Sequence, residues 1–387
     1  MPPNFGEIFQ LLKQDGFTLT LVGGAVRDFF LKGSFGHDLD FEVSHATHTF
    51  NKDQWKNLAR TLSHLGKVTF LPYEIIRLDI QGTQFEFSPP RVETFTAEWK
   101  SAGHSNFTAD FDFKLPFEVA IKRRDFTINA MGLRFSSPKD VELLDPLNGL
   151  MHLRDKLLHH CSSDFIKDPV RFLRAIRFSV KMHFSFTSEL KSVLERMPLQ
   201  SLGSSYLWLE MQKSLNPIVM LKQLLDWQQI HPEFKLPLDF QSMSLRWEEL
   251  SRVLIDPSRH ESWIIALEWI GLSGESWQKF FSVSSETSTR LRRWALNSKK
   301  FIHLKPEVFH GEFDTIRERA EFNLLFDWYF TTKQLLQKNP ELPLLKMIED
   351  FLPDWIHLYR FEVVKDVKHI DPPFRAKYQV WNLCQRL

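Results

Sequence analysis

The chain has 387 residues, of which 43% are hydrophobic and 25% are charged, and its formal net charge is +1. This length exceeds one compact core and predicts about two to four domains, while the balanced charge means that any nucleic-acid binding has to come from local basic patches. The two cysteines, Cys161 and Cys384, lie far apart in the sequence, so we expect no disulfide and a reducing cytoplasm. The N-terminus does not resemble a signal peptide, and no apolar run approaches about 18 residues, so we expect no export and no membrane-spanning helix.

The first third of the chain alternates short apolar runs with glycine-containing turns, which predicts a mixed α/β head. The predicted elements, in order, are a helix over 5–16, a strand over 18–22, a helix over 25–32, a strand over 38–43, a helix over 53–66, a hairpin over 74–88 and a hairpin over 132–146. Residues 92–117 show no clean periodicity and are predicted to form a mobile loop.

From about residue 150 the pattern changes to long helical stretches interrupted by prolines. Helices are predicted over 153–160, 168–182, 188–197 and 206–215, and the rest of the chain is rich in Trp, Leu and Phe. We therefore expect an α+β fold, in which an N-terminal head of mixed sheet and helices is followed by an all-helical remainder.

The stretch GHDLDFEV, residues 36–43, places two aspartates one residue apart in a predicted strand. Side chains in a strand alternate between faces, so Asp38 and Asp40 point the same way, roughly 7 Å apart, and Glu42 continues their row. One interpretation is the solvated face of a half-buried strand. The other is a carboxylate pair that binds a divalent cation such as Mg²⁺, which prefers oxygen ligands.

The stretch LVGGAVRD, residues 21–28, predicts a strand that ends at two glycines and opens into a helix. Gly23 and Gly24 would let backbone N–H groups approach a phosphate, and Arg27 lies one turn into the helix, where it can add a bidentate clamp. The alternative is a plain strand-turn-helix with a surface pair of Arg27 and Asp28.

The stretch IKRRDFTINAMG, residues 121–132, contains three consecutive cations, which repel one another unless they are solvated or face an anion. If the stretch is helical, Asp125 and Asn129 lie one turn apart and both can face one ligand. Asp125 could then accept a hydrogen bond from a ribose hydroxyl, while Arg124 and Asn129 bind phosphate oxygens. The alternative is the basic start of a surface helix.

The stretch KDPVRFLRAIRFSVKM, residues 167–182, predicts a helix with Asp168 as its N-cap and a proline in its first turn. One side of this helix is apolar, and the neighbouring arc carries Arg171, Arg174, Arg177 and Lys181. One interpretation is a buried apolar stripe beside a solvated cationic stripe. Asp168 and Arg171 stand three residues apart, so an acceptor and a donor project together. Such a pair matches the base edges of cytosine and adenine and leaves polar groups unsatisfied with uracil and guanine, at about 1–3 kcal/mol each.

These four stretches, taken in chain order, closely resemble the motifs of the class II tRNA nucleotidyltransferase (CCA-adding enzyme) and bacterial poly(A) polymerase family. The shared motifs are GGAVRD, DLD, RRDFTINAM and DPVRFLRAIRF, and the resemblance covers roughly residues 18–215. It implies a nucleotidyltransferase head of the DNA polymerase β superfamily over 1–138 and a neck with a base-recognition helix over 139–215. A helical body would follow over 216–295, and a helical tail over 296–387 would bind tRNA.

The resemblance also implies residue roles. Asp38 and Asp40 would be the catalytic carboxylates that hold two Mg²⁺ ions, with Glu86 as a candidate third carboxylate. The nucleotide-binding residues would be Gly23, Gly24, Arg27, Arg124 and Asn129 for the triphosphate, Asp125 for the ribose, and Asp168, Arg171, Arg174 and Arg177 for the base. The segment 92–117 would correspond to the flexible loop linked to the switch from C to A addition.

The implied activity is the template-independent addition of CCA to tRNA from CTP and ATP. Lys167 departs from the family pattern, because a glutamate usually precedes the base-selecting aspartate, and this keeps open an enzyme that adds only A or only CC. Three alternatives remain in all. These are a poly(A) polymerase, an enzyme that adds only A or only CC, and, from another class, a noncatalytic RNA-binding relative.

Overall fold

The computed structural model describes residues 2, 4–95 and 107–234, together with a few isolated positions between 248 and 293. The chain divides into two compact units, residues 1–236 and 237–387. Most of the predicted body and the whole predicted tail over 296–387 lie outside the described residues. Within the described part of the chain, no helix is both long enough and apolar enough to cross a membrane.

The first unit contains strands and helices in the mixed order that the sequence predicts. The strands are β1 (Phe17–Val22), β2 (Asp38–His45), β3 (Lys67–Leu71), β4 (Ile75–Ile80), β5 (Thr83–Ser88), β6 (Arg91–Phe95), β7 (Phe107–Phe111), β8 (Gly132–Ser137), β9 (Asp140–Leu144), β10 (Leu157–Leu158) and β11 (Ser185–Phe186). The helices are α1 (Phe5–Gln14), α2 (Gly24–Lys32), α3 (Lys52–Leu62), α4 (Phe117–Ala120), α5 (Gly149–Arg154), α6 (Val170–Met182), α7 (Ser188–Arg196), α8 (Ser204–Gln212) and α9 (Pro217–Gln228).

Seven strands form one sheet in the order β3-β4-β5-β2-β1-β8-β9. Every neighbouring pair is antiparallel except β2 and β5, which run parallel. The parallel pair places Asp40 opposite Glu86, and the antiparallel pair with β1 places Asp40 opposite Val22, the last residue before the glycine turn. The mixed sheet with helices confirms the predicted fold class.

The core of the head forms where the apolar face of β2 packs under α1. Leu39, Phe41 and Val43 have no exposed surface, as the alternating pattern of the strand predicts. Phe5 of α1 stacks on Phe41 with ring centroids 5.6 Å apart, and Phe87 of β5 stacks on Phe41 at 5.7 Å. This aromatic packing fixes β2, and with it the opposite face that carries the aspartates.

The prediction of a loop over 92–117 is wrong for the parts that the structure describes. Strands β6 and β7 pair as an antiparallel hairpin, in which Arg91 faces Phe111 and Phe95 faces Phe107. Both strands contain β-branched and aromatic residues, which favour strands, but only β6 alternates them with charged residues, and the intervening polar residues obscure the pairing. Residues 96–106 lie outside the described residues.

Two further sequence predictions are corrected. The helix predicted over 153–160 ends at Arg154, because Lys156 takes a left-handed conformation with φ of 56° and the chain continues into the short strand β10. Strand β3 was absent from the predicted elements, although its sequence KVTFL is rich in residues that favour strands.

Gly149 at the start of α5 allows this helix to approach the 127–129 segment. A Cβ atom at Gly149 would lie 2.3 Å from the carbonyl oxygen of Thr127, which is backbone that cannot yield cheaply. We expect Gly149→Ala to lower the thermal unfolding midpoint by about 3–10 °C, measured by circular dichroism. The matched control is Gly6→Ala in α1, where a Cβ meets nothing within 4 Å, and this variant keeps or slightly raises the midpoint. Equal midpoints for both variants would contradict this packing.

Candidate active site

Strand β2 and the glycine turn bring an aspartate, a glycine and an arginine together. A Cβ atom at Gly23 would lie 3.3 Å from Oδ2 of Asp40 and 3.0 Å from Nη1 of Arg124. Gly23 also has a φ of 79°, which side-chain-bearing residues rarely adopt. Glycine is therefore required twice here, for its conformation and for the close approach. Helix α2 begins at the next residue, Gly24.

The carboxylates at this edge of the sheet concentrate negative charge. Asp38 is exposed and Asp40 half-buried. Burial raises the pKa of Asp40 above its usual value; Arg124 opposes that shift, and the carboxylates of Glu86 and Asp38 add to it. The two aspartates therefore lie close enough to repel each other, beside the glycine turn as the sequence predicts.

This donor set fits magnesium, the cofactor that the family resemblance implies. A Mg²⁺ ion in a nucleotide site is commonly held by one or two carboxylates plus the phosphates of the substrate, so a complete protein cage is not needed. The described residues contain no group of three or more His, Cys, Asp or Glu side chains placed to hold a metal ion. Glu86, the candidate third carboxylate, accepts hydrogen bonds from Arg77 at 2.6 and 2.8 Å and forms an ion pair with that residue.

The segment 121–132 is not the helix that the sequence analysis considered. Two 3₁₀ turns, Ile121–Arg123 and Thr127–Asn129, flank an extended stretch. Asp125 and Asn129 nevertheless meet, because Nδ2 of Asn129 donates a hydrogen bond of 3.0 Å to Oδ1 of Asp125. Nη1 of Arg27 donates to Oδ1 of Asn129 at 2.7 Å, so three of the predicted nucleotide-binding residues form one buried chain of hydrogen bonds.

Asp125 links this chain to helix α6. Its Oδ1 also accepts from the N–H of Phe126 at 2.8 Å, and its Oδ2 accepts from both Nε and Nη2 of Arg174. Burial opposes ionisation, but the Arg174 guanidinium and the hydrogen bonds outweigh it and hold the pKa of Asp125 far below its usual range. The interpretation of 121–132 as a surface helix start is therefore wrong, since Asp125 is buried and both of its oxygens contact protein donors.

The predicted base-reading pair lies at the start of α6. Oδ1 of Asp168 accepts a hydrogen bond of 3.0 Å from the N–H of Val170, and Nε of Arg171 lies 3.6 Å from Oδ2 of Asp168. Nη2 of Arg171 donates to the carbonyl oxygen of Arg123 at 2.7 Å. Nη1 of Arg171 is buried and has no hydrogen-bond partner among the residues that the structure describes, which is costly unless a ligand supplies an acceptor.

The cationic arc of α6 is not the solvated stripe that the sequence analysis considered. Arg171 and Arg177 are only 6% and 5% exposed. Arg177 donates to the carboxylate of Glu210 in α8, which Lys213 also contacts at 3.4 Å. The arginines of α6 therefore face the interior, because the head and α8 supply carboxylates for them.

Lys167, the departure from the family pattern, lies directly before this pair. Its Nζ contacts Oδ1 of Asp164 at 2.6 Å and lies 5.6 Å from the ring centroid of Phe95 in strand β6. The ammonium group therefore contacts both its own segment and the hairpin of β6 and β7.

A buried charge cluster behind the site was missed by the sequence analysis. Glu42, predicted to continue the outward row, is 4% exposed, and burial raises its pKa while Arg123, Arg124 and Arg91 oppose the shift. Arg91 donates to Oε1 of Glu93 at 2.8 and 2.9 Å. Burial and repulsion from Arg91 and Arg124 lower the pKa of Arg123 to about 9, although Glu42 and Glu93 support its charge. The two-residue period of the strand predicts which face Glu42 lies on. It does not predict the surroundings of Glu42, because Arg91 comes from strand β6, which is remote in sequence.

Comparison with known proteins finds both a family model and curated relatives that match this chain. Residues 19–159 match the model of the Poly A polymerase head domain. A "Multifunctional CCA protein" from Haemophilus influenzae (strain PittGG) is 33% identical over 208 residues, which cover 51% of this chain and 44% of that protein. The protein of the same description from Legionella pneumophila (strain Philadelphia 1) is 34% identical over 203 residues, covering 50% of this chain and 44% of the relative. The chain therefore spans less than half the length of these curated relatives.

Solved structures share the fold over most of the chain. A CCA-adding enzyme in its apo form II has a TM-score of 0.59 at 20% identity, with 92% of this chain and 96% of that chain covered. A tRNA nucleotidyltransferase complexed with a primer tRNA and an incoming ATP analogue has a TM-score of 0.57 at 22% identity, with 90% and 98% covered. At these identities the likeness establishes the fold.

The contact between Asp125 and Arg174 is expected to stabilise the first unit strongly. Asp125→Asn removes the charge that pairs with Arg174, whose side chain is 32% exposed, so we expect the free energy of unfolding to fall by about 2–4 kcal/mol in urea titrations at pH 7. The control is Glu142→Gln, which removes an exposed pair with Arg134 and costs at most about 1 kcal/mol.

The same comparison has a defined pH dependence. Because the pKa of Asp125 is lowered by folding, its stabilising effect is complete above the unfolded pKa of about 4 and is lost as the pH falls below it. The stability difference between wild type and Asp125→Asn therefore stays constant from pH 7 to about pH 5 and narrows in more acidic buffer. A difference that grew on acidification would contradict this assignment.

Proposed function

We propose that this chain, whose residues 19–159 belong to the Poly A polymerase head domain family, adds CCA to the 3′ end of tRNA from CTP and ATP without a nucleic-acid template. The observation that carries the proposal is that Gly23, Asp40 and Arg124 converge, while Arg171 hydrogen-bonds to the carbonyl of the residue before Arg124. A phosphate-binding turn, a carboxylate pair and a base-reading pair thereby belong to one continuous region. The relatives described as multifunctional CCA proteins support the choice of reaction.

Asp38 and Asp40 are the proposed ligands of two Mg²⁺ ions. When bound, Mg²⁺ supplies activation of the 3′ hydroxyl of the RNA and stabilisation of charge on the α-phosphate as pyrophosphate leaves. The grouping of Asp38, Asp40 and Glu86 supports this assignment, because a cation offsets the repulsion among carboxylates that, after burial, contributes to the raised pKa of Asp40.

The triphosphate is proposed to lie over the glycine turn. Gly24 begins α2, so its backbone N–H and the positive end of the helix face the phosphates, and Gly23 leaves room for their approach. Arg27 and Arg124 neutralise the phosphate charge, and Asn129 holds Arg27 in place with its side-chain oxygen. Asp125 accepts from the ribose only if one of its lone pairs remains available beside Arg174.

Asp168 and Arg171 are proposed to select the base. The buried Nη1 of Arg171 has no protein acceptor and can donate to the ring nitrogen of cytosine or adenine, while Asp168 accepts from the exocyclic amine. Uracil and guanine present a carbonyl and an N–H at these positions, so each mismatch leaves a polar group unsatisfied at about 1–3 kcal/mol. Arg174 and Arg177 support the helix that carries this pair.

The remaining assignments extend the same proposal. The head over 1–138 carries the chemistry, the neck over 139–215 carries base recognition, and the body and tail, whose residues lie mostly outside the described part of the chain, bind tRNA in the cytoplasm. The solved relative with a bound primer tRNA supports tRNA as the substrate. The main alternatives are a poly(A) polymerase and a partial enzyme that adds only A or only CC. Lys167 bears on the partial enzyme, because it places a cation directly before the base-reading pair.

The reaction is tested by incubating the full chain with Mg²⁺ and a tRNA that lacks its CCA end. With CTP and ATP together we expect addition of C, C and A followed by a stop, read on sequencing gels, and with CTP alone addition of CC. Unlimited extension with ATP identifies a poly(A) polymerase, and addition of only A or only CC identifies a partial enzyme. Absence of any incorporation overturns the proposal in favour of a noncatalytic RNA-binding protein.

The carboxylate assignment is tested by Asp40→Asn, which keeps the size of the side chain and removes its charge. We expect incorporation to fall more than about 100-fold, because a metal ligand and its charge are lost, while tRNA binding in gel-shift assays stays within about twofold. Asp53→Asn, at an exposed position on α3, serves as the control and retains full incorporation. Turnover by Asp40→Asn near the wild-type rate would exclude the two-metal assignment.

A further inference from the structure

Phe178 in helix α6 is surrounded by three guanidinium groups. The ring is 5% exposed, and the Cζ atoms of Arg27, Arg174 and Arg177 lie 5.3, 5.6 and 4.3 Å from its centroid. All three distances are within about 6 Å, the range in which a cation is attracted to the face of an aromatic ring. A cationic side chain in place of Phe178 would repel the three arginines, and an anionic one would neutralise them.

The three arginines come from two parts of the protein and have different partners. Arg27 belongs to the head helix α2 and pairs with Asp28 at 2.7 Å, whereas Arg174 pairs with Asp125 of the head and Arg177 with Glu210 of α8. The partners are distinct, and Phe178 is the one side chain that contacts all three guanidinium groups among the described cation–ring contacts. The ring therefore joins the phosphate-binding helix to the base-reading helix.

Ordinary core packing does not account for this arrangement. Phe172 lies on the same helix and is fully buried, but its ring contacts are with Trp227, His231 and Phe234. Among the described residues, Phe178 touches one ring, that of Phe126 at 5.5 Å, and three guanidinium groups, so the two phenylalanines of this helix differ in their cation contacts. Phe172 is therefore a matched control, since its truncation removes similar packing without removing a cation contact.

We infer that Phe178 is a positioning residue that fixes Arg27 against α6 and thereby sets the placement of the triphosphate relative to the base-reading pair. This inference rests on the proposed function. Hydrogen bonds hold the edge of the Arg27 guanidinium, because Nη1 donates to Asn129 and both Nε and Nη2 contact Asp28. The ring of Phe178 adds a contact with the face of the group, 5.3 Å from its Cζ, and this contact ties it to α6. The aromatic face restrains the plane of the guanidinium while leaving its outer N–H groups able to bind phosphate.

The test compares Phe178→Leu, Phe178→Tyr and Phe172→Leu in the full chain. We expect Phe178→Leu to weaken binding of CTP and of ATP, each with Mg²⁺, by about tenfold in isothermal calorimetry, because the aromatic face is lost. In tRNA extension the same variant raises KM for both nucleotides by a similar factor and leaves kcat within about threefold. Phe178→Tyr keeps the ring and stays within about threefold of wild type. Phe172→Leu lowers the thermal midpoint but preserves nucleotide affinity.

Several results would overturn the inference. These are unchanged nucleotide affinity in Phe178→Leu, a Tyr variant as weak as the Leu variant, or an equal loss in Phe172→Leu, which would indicate a packing effect alone. If the wild-type chain binds CTP but extends no tRNA, the proposed function fails, while the calorimetric comparison still decides the role of Phe178. If the wild-type chain binds neither nucleotide, both proposals fail.

Discussion

The buried contact between Asp125 and Arg174 holds the site together. One carboxylate accepts hydrogen bonds from the 125–129 turn on one oxygen and from helix α6 on the other. Through Asn129 the same network reaches Arg27, which lies one turn into the helix that follows the glycine turn. Because an unpaired charge in this interior would be strongly destabilising, the head and α6 have little freedom to separate locally. The groups proposed to bind phosphate, metal ions and the base therefore owe their relative positions to this ion pair, together with the hydrogen bond from Arg171 to the carbonyl oxygen of Arg123 and the contact of Arg27 with Phe178.

Arginine serves this site in a way that lysine could not. A guanidinium offers five donors in a rigid plane, stays charged when buried and stacks on aromatic rings. Arg171 uses one nitrogen for the carbonyl of Arg123 and keeps another without a partner among the described residues, whereas Arg177 combines a carboxylate with the ring of Phe178. Burial, with repulsion from Arg91 and Arg124, lowers the pKa of Arg123 to about 9. An anionic ligand would stabilise the charged form of these buried cations.

Local pattern was sufficient to predict the elements that carry the carboxylates. The alternation in GHDLDFEV gave both the buried face of Leu39 and Phe41 and the shared direction of Asp38 and Asp40. Local pattern was insufficient where contacts between remote segments decide whether a side chain is buried. Glu42 and the arginines of α6 were predicted to be solvated, because the segments that contribute their charged neighbours, strand β6 and helix α8, are remote in sequence. The helix predicted over 121–132 is wrong for a different reason. A spacing of four residues is typical of one helical turn, but here two 3₁₀ turns bring Asp125 and Asn129 together.

In the proposed complex, the glycine turn of the head and the start of α6 bind opposite ends of one nucleoside triphosphate. The most direct measurement is a crystal structure of the full chain with Mg²⁺ and a non-hydrolysable CTP analogue. The account predicts the triphosphate at Gly24, Arg27 and Arg124, and the edge of the cytosine within hydrogen-bond distance of Asp168 and Nη1 of Arg171. A nucleotide whose base points away from α6, or whose phosphates lie remote from the glycine turn, would contradict it.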